Sequence, residues 1–339
     1  MSVQDLLNAF VLFANFVLLP AATYGSQLAL GALGVTLIYA ILRFSNFAHG
    51  ETMAMGTMLT ILITWWLQAQ EITLGFFPTA LLALPLAVVL MIAVILFTDR
   101  WAYRYHRRRR AGPVTFLIAS LGVMFIYNGL VRIIIGPGDQ RFDDGERFII
   151  TVREFRDWTG LTEGLALRTS QGLTIFITII AVAALFWFLE HTRTGKSMRA
   201  YSDNKDLALL SGIKPERVVL IAWALAATLA TLAGVLYGLD KGFSPLNYFH
   251  LLLPTFAAAI VGGLGSPLGA VAGGFVVAFS EVLLTFAYKR FLTYLLPNDL
   301  APEGLVQLLS TNYKLAVSFV ILVLVLLIRP TGIFKGKTI

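Results

Sequence analysis

The chain has 339 residues, of which 58% are hydrophobic and only 13% charged, and its mean hydropathy is +0.79. Soluble domains run at about 45–50% apolar and 25% charged residues, so a soluble globular fold is excluded and a lipid bilayer is the expected solvent. The net charge of +7 would suggest nucleic acid in a soluble chain, but here the basic residues cluster in loops between apolar runs, where they set orientation and meet anionic lipid; no nucleic-acid partner is expected.

A spanning helix needs about 20 apolar residues. In chain order the candidates are 5–22, 24–42, 51–68, 76–98, 113–135, 172–190, 217–238, 248–264, 267–286 and 313–329. The expected fold class is an all-α polytopic transmembrane helix bundle of about 8–10 spans in one domain over 1–339, some spans broken or re-entrant. The run 248–264 is short and Gly-rich, so crossing and re-entry both stay open. No small-residue cleavage site follows the first run, which is therefore expected to be retained. The segments 99–112, 191–216 and the tail from Arg329 carry fourteen basic residues against eight on the other side, which makes the first set cytoplasmic. Alternation over ten spans then puts both termini inside. Cys is absent, so disulfides and thiol chemistry are excluded.

The first interruption of the apolar pattern is RFSNFAHGE, Arg43 to Glu51. Asn46 suits a helix start, Gly50 permits close approach, and Glu51 complements the helix dipole in an early turn, with His49 between them. Two readings stand: a tight polar hairpin at the inner surface, or a broken helix beside a water-filled pathway. Arg104 and the run Arg107 to Arg110 read as a positive-inside lipid anchor. Loop 136–171, with GPGD, DDG and the β-rich run RFIITV, is expected to form a small extracytoplasmic lobe. A polar island, Thr192 to Val218, follows, with helical signals inside an interhelical loop. Next comes VGGLGSPLGAVAGG, Val261 to Gly274, where Gly262, Gly263 and Gly265 end one helix and Ser266 caps the next. This turn either lines the pathway or simply packs two helices closely. Glu281 in the following span would be costly unless it faces a cavity or bonds a neighbouring helix. A short interfacial helix is expected near Leu305 to Leu309.

Four segments carry a resemblance. SNFAHGE (Ser45 to Glu51), RTGKSMRAYSDNKDLALLSGI (Arg193 to Ile213), AAIVGGLGSPLGAVAGG (Ala258 to Gly274) and RPTGIF (Arg329 to Phe334) are similar to the signature segments of the LivH-type permease of bacterial branched-chain amino acid ABC importers, in the family's order and over nearly the whole chain. The outer loops 136–171 and 287–312 depart from that pattern. The resemblance implies a multi-pass inner-membrane subunit translocating branched-chain or similar small amino acids. It also implies a second LivH/LivM-type permease, two cytoplasmic ATP-binding subunits that hold the ATP and Mg, and an extracytoplasmic solute-binding protein. Residues 191–217 would be the coupling loop, with Gly195, Lys196, Arg199, Asp203, Ala208 and Gly212 in one helix seated on the ATPase. The pathway or its gate would be formed by Asn46, His49, Gly50, Glu51, Gly262, Gly263, Gly265, Ser266 and Glu281.

Gly195, Lys196 and Ser197 spell the end of a phosphate-binding loop, but the Gly required five places earlier is Glu190 and the preceding segment is a helix rather than a strand. No cofactor is therefore expected on this chain. His49, His106, His191 and His250 lie far apart without metal-ligand spacing. No catalytic set is read, so the chain is not expected to be an enzyme. A self-sufficient secondary carrier or channel is the alternative; it would need an ion-coupling site, which the sparse intramembrane charge does not offer.

Overall fold

The computed structural model describes residues 3–142, 147–296, 302 and 304–334. The first rod is α1 (Val3–Phe13), a π-helical segment (Ala14–Leu18) and α2 (Leu19–Leu42), continuous over 40 residues. At 1.5 Å per residue it is about 60 Å long, twice the hydrocarbon thickness of about 30 Å, so most of α1 projects beyond a single crossing. The expected spans 5–22 and 24–42 are thus one rod.

After α2 come α3 (His49–Ala69) and α4 (Ala80–Thr98), which continues through a π segment (Asp99–Tyr103) into α5 (Arg104–Arg108). Next is α6 (Pro113–Ile135), then a small lobe of β1 (Phe148–Ile150), α7 (Val152–Thr159) and β2 (Leu167–Arg168), with β1 and β2 antiparallel. The β-rich run is a strand, as expected, and Thr151 closes a capping box with Glu154 at the start of α7. That pairing holds the Glu154 carboxyl below the usual carboxylate range. The DDG turn at 143–145 lies outside the described residues. The chain continues with α8 (Thr169–His191), α9 (Arg193–Asp203), α10 (Lys205–Leu210), α11 (Pro215–Lys241), α12 (Pro245–Gly262), α13 (Pro267–Thr285), α14 (Lys289–Leu295) and α15 (Lys314–Ile328). The helix expected near Leu305–Leu309 is absent: that stretch is irregular, Gln307 bridges Ala287, and the short helix of this loop is α14.

Among the described residues, eight helical stretches are long and apolar enough to cross a membrane, α12 among them. The helix α3 has the length but not the apolarity, because its first turns carry His49, Glu51 and Thr52 and its later ones Thr57, Thr60 and Thr64. All six are buried. The later threonines donate to the carbonyls four residues back (Thr57 to Met53, 2.8 Å; Thr60 to Gly56, 2.8 Å; Thr64 to Thr60, 2.7 Å), so no hydroxyl hydrogen of the three is stranded in apolar surroundings. A helix this polar is tolerable inside a bilayer only where protein surrounds it, and α2, α4, α6, α11 and α12 all pack on it. At the centre lies α2, apolar on every face and buried from Gly25 to Ile41, with α11, α12 and α13 against it.

The ends of the bundle are fixed by side-chain contacts. Asn8 accepts from the backbone N–H groups of Thr162 (3.1 Å) and Glu163 (3.0 Å), and Phe13 meets Phe286 and Phe291 beyond α13. At the other end of α13 the tail folds onto α12, with Ile333 N donating to Val261 O (2.9 Å) and Phe334 N to Gly262 O (3.0 Å). The described N-terminal helix and the tail therefore stand at opposite ends. Merging the first two spans removes one from the ten expected crossings.

The α12–α13 hairpin is packed backbone to backbone: a Cβ on Gly262 would overlap the Gly269 carbonyl, and one on Gly273 the Ala258 carbonyl. Gly262→Val is expected to cost about 1–3 kcal/mol. Gly129→Ala, where a Cβ meets nothing within 4 Å, should be neutral or stabilising by up to about 1 kcal/mol. Thermal unfolding of the purified chain in detergent, followed by circular dichroism, separates the two; equal melting would contradict the packing.

Candidate functional site

At the end of α2, Arg43 takes the left-handed conformation (φ 57°) that usually calls for Gly, and its N–H closes the helix on Tyr39 O at 3.0 Å. Its guanidinium donates to Ser202 O at the end of α9 (2.6 Å), an anchor that explains a strained non-glycine residue. The chain then turns back into the bundle. Asn46 is buried, and its Oδ1 accepts from Ala48 N (3.2 Å) and from the Tyr103 hydroxyl (3.2 Å). It forms an Asx-type turn just ahead of α3, while Ala48 occupies the cap position itself.

His49 donates from Nε2 to Gly31 O (3.0 Å), since a carbonyl can only accept, and its ring fills the notch left by Gly34. Gly34 lies eight residues before Leu42, about 12 Å along α2, so α3 starts inside the bundle rather than at its surface. The start of α3 is therefore buried among α2, α11 and α12 rather than placed in a hairpin at the surface. Gly50 lets α12 approach, where a Cβ would stand 2.9 Å from Leu252 Cβ. Glu51 accepts from Asn128 Nδ2 of α6 (2.9 Å), and its other carboxylate oxygen has no hydrogen-bond partner among the described residues.

A second group of residues at this break was not singled out by sequence. Asp99, with a side chain 2% exposed, takes a bidentate pair from Arg107 (2.8 and 3.0 Å) and the indole N–H of Trp223 (2.8 Å). Tyr103 stacks on Trp223 at 5.0 Å and, through its hydroxyl, reaches Asn46. Arg107 therefore leaves the anchor run to pair with a buried carboxylate. The only sequence signal was an acid four residues before Tyr103 in a loop otherwise full of Arg.

The glycine turn sits elsewhere. Phe256 of α12 stacks on Phe47 at 5.3 Å, and Gly262 is six residues further, about 9 Å along the helix. Gly263 (φ 111°) and Gly265 (φ 87°) make the turn, and Ser266 caps α13 by accepting from Gly269 N at 3.1 Å, as expected. Gly332 of the tail packs directly on Gly263, so two signature segments meet here in close backbone contact. Glu281 joins neither group: it bonds Ser318 of α15 and Tyr24 of α2, a tie between helices near the α1 end.

The polar island forms two helices rather than one. Thr192 caps α9 (Gly195 N to Oγ1, 2.9 Å), and a Cβ on Gly195 would collide with the backbone of Phe188 and Leu189, so only Gly lets α9 fold back on α8. Met198 and Tyr201 turn inward, while Lys196, Arg199 and Asp203 are exposed. Asn204 leaves helical geometry and caps α10 by accepting from Leu207 N at 3.0 Å. Gly212 (φ 78°) closes the segment. Ala208, expected on the docking face, is 3% exposed and packs into the bundle; the outward side chains are Leu207 (61%) and Leu210 (87%). Among the described residues no group of three His, Asp or Glu could hold a metal ion.

A family profile described as branched-chain amino acid transport system / permease component matches residues 17–326. The chain belongs to this family. The permease is 31% identical over 316 residues to the high-affinity branched-chain amino acid transport system permease protein LivH of Escherichia coli K12, covering 92% of each chain. It is 28% identical over 315 residues to BraD of Pseudomonas aeruginosa, again over 92% of each. The fructose import permease protein FruG of Bifidobacterium longum matches 176 residues at 30%, about half of either chain, so the likeness extends beyond amino acid systems.

His49 and Gly34 should behave as one packing unit, because a Cβ on Gly34 would lie 2.5 Å from His49 Cε1. Gly34→Ala is expected to cost about 1–3 kcal/mol, and His49→Ala in that background to recover part of the loss. A double-mutant cycle on thermal unfolding should return a coupling of about 0.5–3 kcal/mol; strict additivity would contradict the fit.

Proposed function

We propose that this permease is the membrane subunit of an ATP-driven importer that moves branched-chain or similar small amino acids inward across the inner membrane. ATP and Mg would be held by two partner subunits on the α9–α10 face, with a second permease beside this one. The observation that carries the reading is the exposure of Leu207 and Leu210 on a short, capped helix in an otherwise polar segment. Two leucines left in water at such a site match an apolar groove on a soluble partner. The substrate class follows the relatives that cover 92% of the chain rather than the half-length likeness to a fructose permease. Hydrolysis belongs to the partners, since the chain itself carries no complete phosphate-binding loop.

Charge supports the orientation. The α5 Arg run, α9, α10 and the tail share one end of the bundle and hold most of the basic loop residues, which makes that end cytoplasmic. The lobe at 147–168, α1 and α14 then face outward, joined by Glu163, which pairs with Arg290 (2.7 Å) and accepts from Tyr294 (2.8 Å). A solute-binding protein would dock on that platform.

Leu207→Asp with Leu210→Asp is expected to reduce substrate-stimulated ATP hydrolysis by about 10-fold or more while leaving thermal stability within about 0.5 kcal/mol. Full stimulation in the double variant would refute the docking face. In this Cys-free chain, single cysteines at 109 and 205 should react with an impermeant thiol reagent only from inside, and Val3→Cys and Asp157→Cys only from outside; labelling of 205 from outside would reverse the orientation.

A further inference from the structure

Both ends of the α2–α3 break are fastened to the polar face of the bundle by side chains that packing alone does not require. One fastening is direct: Arg43, held left-handed, donates to Ser202 O at the end of α9. The other runs inward from the rim. The Arg107 side chain is 23% exposed, against 68% for its neighbour Arg108, because it turns in to pair with Asp99. The helix α9 itself packs on α11, the helix that carries Trp223. Asp99 holds the Trp223 indole of α11, Trp223 stacks on Tyr103, and the Tyr103 hydroxyl donates to Asn46, whose Oδ1 also holds the Ala48 N–H at the start of α3.

A lipid anchor needs no buried carboxylate, and burying one is costly unless its partners earn their place. Asp99 and Tyr103 bound one π segment, a departure from α-helical geometry that recurs at functional sites. We propose that Asp99 and Tyr103 are positioning residues that carry movement of α9 to the break at 43–48, so that the docking face and the broken helix shift together. The importance of this link for transport rests on the docking reading of α9–α10, but the link itself is a property of this chain alone.

Hydrogen–deuterium exchange of the full-length permease in lipid nanodiscs tests the link without any partner. Thr192→Ala removes the α9 cap and should raise backbone exchange by about 5-fold in α9 and, through the link, at 43–49. In a chain that also carries Arg43→Ala, which cuts the direct tie to Ser202, the response at 43–49 should persist, and adding Tyr103→Phe or Asp99→Asn should abolish it while that of α9 remains. A response at 43–49 that survives both substitutions, or is missing from the otherwise native chain while α9 responds, overturns the proposal. In the complex assembled in proteoliposomes, the same two substitutions should lower the substrate imported per ATP hydrolysed by about 5-fold or more. That ratio does not depend on how many complexes fold, so an unchanged ratio would remove the transport role, even with lower yield. If the otherwise native complex shows no ATP-driven import while the exchange response follows the expected pattern, the docking reading fails and the link stands.

Discussion

A polypeptide that interrupts its helices within hydrocarbon must answer every exposed polar group with protein, because no water is there to do it. Residues 44–48 pose that demand inside the bundle, and much of the surrounding structure is the response. The apolar α2 passes beside the break, α3 begins against it with His49 on the Gly31 carbonyl, and Asn46 closes the turn that α3 needs to start. The Asp99, Tyr103 and Trp223 cluster fills the space beneath. Without these partners α3, with its buried His, Glu and Thr side chains, could not lie inside a bilayer.

The two helix breaks are held by different means. The α12–α13 turn is locked by glycines in backbone contact and by the tail folding over it, an arrangement with little room to give. The α2–α3 break is held through side chains, Tyr103 of the α4–α5 rod on Asn46 and Arg43 on a carbonyl of α9, and hydrogen-bonded side chains can exchange partners where interlocked backbones cannot. On the proposed link, motion belongs to the first break and rigidity to the second. That division also fits the exposed Leu207 and Leu210, which lie one short helix away from Ser202.

Most of the fold was legible in the sequence because apolar length is a strong signal in membrane proteins, and Ser-Pro after a Gly cluster marks a helix restart. The first rod was read as two spans, 5–22 and 24–42, because its 40 residues are twice what one crossing needs, yet Pro20, in the first turn of α2, sits on a continuous rod. The helix near Leu305 was misplaced because a few apolar residues there carry no helical cap. In the segment 191–217, the helical signal was legible but the facing was not. The break at Asn204 resets the helical phase, so the single helix that the resemblance implied does not give the facing of Ala208. Asp99 could not have been found by pattern, since its partners Trp223 and Arg107 come together only in three dimensions.

The central claim is that the α9–α10 end of this permease receives the ATP-driven partner and works the break above it. Site-specific thiol crosslinking in the assembled importer tests the first half most directly, using Leu210→Cys with Trp158→Cys as the control at the opposite end. The account predicts that Leu210→Cys links to the ATP-binding subunit and Trp158→Cys does not. Capture of that subunit from position 158, with none from position 210, would contradict it.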